Sequence, residues 1–481
     1  MATISSPGVG SGLDVNSIIT QLVAVERVPL TKLESEAKAL EAKLSTYGKV
    51  KSAISALRDA ASALTRSETW SRTTGTSSDA GAVAVTTGAS TKAGNYSIQV
   101  NQLAAAQSNA TGVFASADSL VGEGTLSIEL GTWGTGQSSF TPKVGATAIN
   151  ITVGPPAESL AQLRDKINAS GAGVIASVLT DASGARLVLR SSSPGASNAF
   201  RVTVNDGDGN NGDGLGLSAL AFDPSAGMLT MAQALAAANA SATLNNLPID
   251  SQGNTLVDVL DGMTITLNRV TSAPVLLSAA QDTPALRKSV DAFVTAYNDL
   301  NKLLADQTKL ASAAQNATSL HGDSAAVAIR SQMRQLLGST SAASSTFTRL
   351  SEAGFDVQRD GSITVNETKL ASALANPTEA RKLFGNVDTL VSANNGVATQ
   401  IRTMADRLLG TDGTIVTRSE GLRKRIDLNQ DRQDHLTDRI AQVEKRLRAQ
   451  YTALDRQMAQ LNSLSGYITQ QLTVFNNSGS K

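Results

Sequence analysis

Hydrophobic positions at the two ends of the chain recur at helical spacing, while those in the middle alternate with polar residues or cluster between glycines. From Leu30 the apolar residues step through Leu33, Ala37, Leu40, Leu44 and Tyr47, the mixed three- and four-residue spacing of a coiled-coil seam. The stripe continues through Val50, Ile54, Leu57, Ala61 and Leu64, which predicts a helix ending before Trp70. Ahead of it, Met1 to Gly12 is turn chemistry, and Asp14 is a candidate N-cap for a shorter helix with Ile18, Ile19, Leu22 and Val25 on one face. Pro29 is placed to open the second helix at its first turn, where a missing N–H costs nothing. Near the other end, Ile440, Val443, Leu447, Tyr451, Leu454, Met458 and Leu461 form a matching stripe. It lies on a helix expected to start after Asp412-Gly413 and to run to about Leu472. The consecutive four-residue steps Val443, Leu447, Tyr451 fit an eleven-residue repeat, so a straight multi-helix stalk is predicted before a left-handed dimer.

Between about Thr73 and Thr283 the pattern changes to short strands. Ala82 to Thr87, Tyr96 to Val100, Thr125 to Leu130 and Ile149 to Val153 alternate apolar and polar residues. Leu160, Leu163 and Ile167 mark one short helix, and Val174 to Thr180 with Arg186 to Leu189 flank Asp181-Ala-Ser-Gly184 as a hairpin. Met231 to Ala242 reads as helix or linker, and Ala242 to Leu247 with Met263 to Leu267 as further strands. Helix returns at Pro284 to Leu304 and Asp323 to Leu337, a hairpin is expected around Asp360-Gly361, and a last short helix ends at Gly410. The result is an α+β multidomain chain with terminal helical legs and an inserted β-rich body.

Composition narrows the function. The 481 residues hold as many Lys and Arg as Asp and Glu, so nothing in the overall balance favours nucleic acid or an anionic membrane. Charge is uneven: residues 71 to 280 carry 9 basic and 14 acidic side chains, and Arg418 to Met458 carries 10 and 7. With no cysteine, disulfides, thiolate nucleophiles and Cys-ligated metals are excluded. No apolar run is long enough for a transmembrane helix, and the N-terminus does not read as a cleaved signal peptide. A secreted chain of this kind is expected to use a route without one.

The candidate chemical motifs are weak. Asp206-Gly-Asp208-Gly-Asn210-Asn-Gly-Asp213 resembles a calcium loop, but Asn211 stands where the sharp-turn glycine belongs and Leu217 where a bidentate Glu is required. A flexible surface loop without metal is expected instead. Gly8, Gly10 and Gly12 follow no strand and precede no Lys-Ser or Lys-Thr, so they make no phosphate loop. The two histidines, His321 and His435, lie beside no nucleophile motif. No catalytic residue, cofactor or metal is predicted.

The order of motifs resembles a known family. Ser6-Pro-Gly-Val-Gly-Ser-Gly-Leu-Asp-Val15 with Gln21-Leu22-Val23 and Glu26 is similar to the N-terminus of the flagellar filament cap proteins, the hook-associated protein 2 family. Gly94 to Ala106 resembles that family's first head strand, and Ile151 to Gly154 with Leu160, Ile167-Asn168 and Val174 to Ser192 resembles the module inserted in flagellins and their associates. Leu383-Phe-Gly-Asn386 and Tyr451 through Leu472 match its C-terminal region, with Tyr451 standing where Phe is expected. The resemblance implies a non-enzymatic cap at the distal filament tip, exported without a cleaved signal, which retains flagellin and promotes its ordered insertion. It implies leg and coiled-coil helices over 1–70, an inner β-rich head split between 71–125 and 231–282, an outer head over 126–230, a helical stem over 283–410 and a C-terminal leg over 411–481. Its partners are a ring of copies of itself, flagellin, the hook-filament junction proteins and an export chaperone, with host glycans as a further class. The assembly interface is assigned to Leu13, Ile18, Leu22, Leu33, Leu40, Leu44, Val443, Leu447, Tyr451, Leu454, Met458, Leu461, Ile468 and Leu472. An extracellular adhesin or phage-tail-like structural protein is the alternative, and a carbohydrate-active enzyme a third reading.

Overall fold

The computed structural model describes residues 14–309 and 318–478, with side chains to 474. The chain divides into two compact units, Met1–Trp70 with Thr283–Lys481, and Ser71–Asp282.

The first unit is helical. Helix α1 spans Val15–Thr65, and the Asp14 side chain caps it by accepting from the Ser17 amide. It runs unbroken through Pro29, where the sequence predicts a second helix to begin. Pro29 and Val25 are both exposed, so the carbonyl that loses its amide partner lies open to water, and packing on either side holds the helix together. A short helix α2 (Ser67–Ser71) follows, and its Trp70 stacks on Phe384 at 5.6 Å.

In the second unit, one core joins a five-stranded and a three-stranded antiparallel sheet through Ile98, Val100, Met263, Ile265 and Leu277. The first strand, Thr73–Ser77, pairs with the last, Val275–Gln281, so the unit begins and ends on neighbouring strands. A second core lies between a six-stranded and a four-stranded sheet and takes in Leu160, Leu163 and Ile167 of helix α3 (Leu160–Ala169). The predicted hairpin is present, with Val174–Asp181 paired to Gly184–Ser191. Two expectations fail. Met231 to Ala242 is neither helix nor linker but holds the strand Ala232–Leu235 and the start of Ala240–Leu244, because pairing with Ser108–Ala110 and Gly94–Gln102 overrides alanine's helix preference. The Asp206 to Asp213 loop is an anchored turn. Asp206, 6% exposed, accepts from the Ser218 amide at 2.7 Å and helps seat Leu217 and Leu220 in the core.

Back in the first unit, α4 (Thr283–Thr308), α5 (Ser324–Leu337), α6 (Glu367–Leu374), α7 (Pro377–Gly385) and α8 (Val397–Leu409) surround the C-terminal half of α1. Residues Tyr47, Val50, Ile54, Leu57, Ala61 and Leu64 of α1 are buried there, against Phe293, Tyr297, Leu383 and Phe384 among others. Helix α9 runs from Thr414 to Ser478, and 65 residues at about 1.5 Å each give it roughly 100 Å. The small hairpin Phe355–Val357 with Ile363–Val365 is present, but its loop is longer than a two-residue turn.

Candidate functional site

Two helices that each outlast the helical core form the candidate assembly surface. The N-terminal part of α1 pairs antiparallel with α9, and Val15, Ile19 and Val23 bury against Ile440 with Leu30, Leu436, Leu447 and Tyr451 packed alongside. Glu26 meets Arg439 at 3.9 Å and Glu36 meets Arg425 at 3.6 Å. Both ion pairs are exposed, so they set register more than stability. A groove of about 330 Å³ between the helices is lined by Ile19, Val23, Arg27, Glu444 and Arg448. Asn429 is 3% exposed, and its Oδ1 accepts from Gln433 Nε2. A buried amide on a long helix favours one pairing over its slipped alternatives at some cost in stability.

The predicted interface residues fall into five groups. Leu13 lies outside the described residues. Leu40 is buried and Leu44 half-buried in the core of the helical unit, so packing within the chain occupies both. Leu447 and Tyr451 lie in the two-helix seam, with Ile18, Leu33 and Val443 half-buried. Leu22 is 41% exposed, beside Val25 and Val28 at 69% and 60%. On α9, Leu454, Leu461, Ile468 and Leu472 are 44–58% exposed, and Met458 is half-buried. Those five follow the level at which the described part of α1 begins; Leu464 borders the same stripe, whereas Tyr467 and Val474 are exposed on another side of the helix.

Of two apolar rows on α1, the one assigned to the interface is not the one that meets α9. Val15, Ile19 and Val23 are spaced four apart, as are Ile18 and Leu22, and nothing in the spacing says which row meets α9. Leu436 was also missed, although it sits four residues before Ile440.

Where the helical unit is locked, the chemistry is a buried carboxylate. Asp323 caps α5 through the Ala325 and Ala326 amides and accepts from Tyr47 Oη and Lys43 Nζ of α1, each at 2.8 Å. Burial alone would raise its pKa, but the bonds from Lys43, Tyr47 and the Ala326 amide outweigh it and hold the carboxyl below its usual value. No group of three or more His, Asp or Glu side chains is set to hold a metal among the described residues.

The likenesses of the chain agree with this architecture. Residues 11–107 match the family model "Flagellar hook-associated protein 2 N-terminus", residues 237–463 its C-terminus counterpart, and residues 136–193 the "Flagellin hook IN motif". The chain is 33% identical over 495 residues to flagellar hook-associated protein 2 of Escherichia coli (strain K12), covering 100% of both. It is 30% identical over 488 residues to the B-type flagellar hook-associated protein 2 of Pseudomonas aeruginosa, covering 98% of each. Its fold superposes on the D1-D2-D3 domains of the flagellar cap protein FliD from Escherichia coli with a TM-score of 0.62 and 29% identity, over 79% of this chain and 99% of that one. Matched from end to end at this level, the chain belongs to the flagellar hook-associated protein 2 family.

Proposed function

We propose that the chain is the structural cap at the distal tip of a bacterial flagellar filament, retaining exported flagellin and promoting its ordered insertion as the filament grows. The observation that carries this reading is the apolar surface of α9 beyond Tyr451, open to solvent in a chain of this family. Leu454, Leu461, Ile468 and Leu472 are too many and too regularly spaced for an ordinary solvated helix face, and such a stripe calls for a helical partner. In the cap, that partner is a filament subunit or a sister leg. Copies of the chain associate through their heads as a ring-like plate, and leg movement opens one insertion site at a time.

The division into legs, stem, inner head and outer head at residues 70, 125, 230, 282 and 410 belongs to the same proposal. So do an export chaperone that covers the leg stripe before secretion, the hook-filament junction proteins as neighbours at the start of growth, and host glycans as ligands of the heads. The protein acts outside the cell, and among the described residues no helix is long and apolar enough to cross a membrane. The role is mechanical and needs neither cofactor nor metal. The comparisons lend no support to the adhesin or phage-tail alternative. Soft-agar swimming of a deletion strain tests the reading. Loss of swimming, restored by the intact gene, is expected, and a deletion strain that swims normally would overturn it.

A further inference from the structure

The chain holds two Asn-Gly pairs, Asn211-Gly212 and Asn395-Gly396, and the fold treats them differently. Asparagine is a thermolabile side chain. When glycine follows it, no side chain shields the next backbone nitrogen from the amide carbon Cγ. Reaction between the two then asks three things of the fold: a backbone N–H free to lose its proton, room for the backbone to turn, and access to water.

Asn395-Gly396 meets none of them. Gly396 is buried at the start of α8, its N–H donates to the Asn386 carbonyl oxygen at 2.9 Å, and its own carbonyl accepts from the Gln400 amide at 3.0 Å. The space beside its Cα is filled by the backbone of Phe384, 2.3 Å from where a Cβ would stand.

Asn211-Gly212 meets all three. Gly212 is exposed, nothing lies within 4 Å of where its Cβ would stand, and its N–H makes only a long contact, 3.4 Å to Asn210 Oδ1. Asn211 is half-buried, and its Oδ1 accepts from the Asp206 amide at 2.7 Å. That bond draws electrons from Cγ and favours attack there. Asn395 Oδ1 takes a similar bond from the Asp388 amide at 2.6 Å, so the glycines separate the two pairs and the asparagines do not.

We propose that Asn211 deamidates in the folded protein, which makes it a site of spontaneous covalent modification. The Gly212 nitrogen gives its proton to solvent and bonds to Asn211 Cγ, and the Cγ–Nδ2 bond breaks to release ammonia. Water then opens the cyclic imide. Breaking the new bond leaves an ordinary aspartate at position 211, and breaking the original peptide bond leaves an isoaspartate, with the main chain running through Cβ and Cγ. The sequence consumes water and needs no oxidant or reductant. Either product adds a carboxylate to a loop that already carries Asp206, Asp208 and Asp213. The bond from the Ser218 amide to the Asp206 carboxylate does not pass through residue 211, so Leu217 and Leu220 stay seated. The change is one of charge and loop path, and the modified share rises with the time a copy has spent folded.

Peptide mapping by mass spectrometry tests it, on the full chain held folded at mildly alkaline pH and sampled over time beside a guanidinium-unfolded sample. Position 211 is expected to convert to a mixture of aspartate and isoaspartate while Asn395 stays intact, and in guanidinium both pairs convert. The methyl of Gly212→Ala meets nothing within 4 Å, and the backbone there lies outside the left-handed region. That variant should keep its melting temperature and lose the conversion at 211 over the same period. Three results would each overturn the proposal: an intact Asn211 in the folded chain while the unfolded sample converts, an Asn395 that keeps pace with it, or a Gly212→Ala variant that converts as its parent does. None of them touches the cap reading, which the swimming of the deletion strain decides.

Discussion

At the scale of single residues, Asp323 ties two helices of the helical unit together. Its carboxylate serves two helices at once, capping α5 and holding Lys43 and Tyr47 of α1. Asp323→Ala leaves a buried tyrosine hydroxyl and a half-buried ammonium without their acceptor, at a cost of about 2–4 kcal/mol. Because the folded carboxyl titrates below its unfolded value, its contribution is present above the unfolded pKa and is lost as pH falls through the folded one. Thermal melts should therefore show the native protein's lead over Asp323→Ala shrinking below about pH 4, the unfolded carboxyl value. A lead that stays constant down to pH 3 would mean that the carboxylate's charge does not matter. Glycines give an opposed pair. A Cβ on Gly396 would fall 2.3 Å from the backbone of Phe384, whereas one on Gly421, inside α9, would meet nothing within 4 Å. Gly396→Ala should destabilise the stem, and Gly421→Ala should stabilise by roughly 0.5–1 kcal/mol, both read from urea unfolding midpoints.

At the scale of elements, the helices of this chain were more legible than its strands. The heptad run from Tyr47 to Leu64 could be read because one face of α1 meets a deep core, which imposes a strict period. Helices α6 and α7 were missed although Asn366 and Asn376 cap them and Pro377 opens the second, since at 8 and 9 residues each is too short for a periodic pattern to stand out. The strand at Ala232 and the first residues of the one at Ala240 were missed because their alanines carry no β preference, and only long-range pairing makes them strands. For the candidate site, the α9 stripe was legible from spacing alone, but the choice between the two rows of α1 required the partner helix. The seam itself gives a prediction. Ile440→Ala removes the one buried α9 residue of that contact among the described residues, at roughly 2 kcal/mol, the low end for such truncations because the seam is one layer deep. Faster amide exchange is expected around Val15 to Leu30 and Leu436 to Tyr451, with α4 and α8 unaffected. Equal acceleration across all of these helices would show that the legs and stem unfold as one unit.

At the scale of the whole molecule, the inserted body and the helical unit are separate compact units, each with its own hydrophobic core. Entry and exit of the inserted body lie on paired neighbouring strands, with the Asp282 amide donating to the Arg72 carbonyl. A fragment from Ser71 to Asp282 should fold alone and give dispersed amide resonances, and a collapsed spectrum would contradict that autonomy. Such a division suits the proposed cap, in which heads and legs would perform different tasks. The legs carry the central claim, because burying each open Leu of α9 contributes at most about 1.5–3 kcal/mol and only a partner helix can realise it. The direct test is to express Leu454→Asp/Leu461→Asp in the deletion strain and measure flagellin released into the medium against filament length. Both residues are exposed in the isolated chain, so the variant should fold, yet flagellin should leak and filaments should be absent or short. Normal filaments with no leaked flagellin would show that the C-terminal stripe is not the assembly surface.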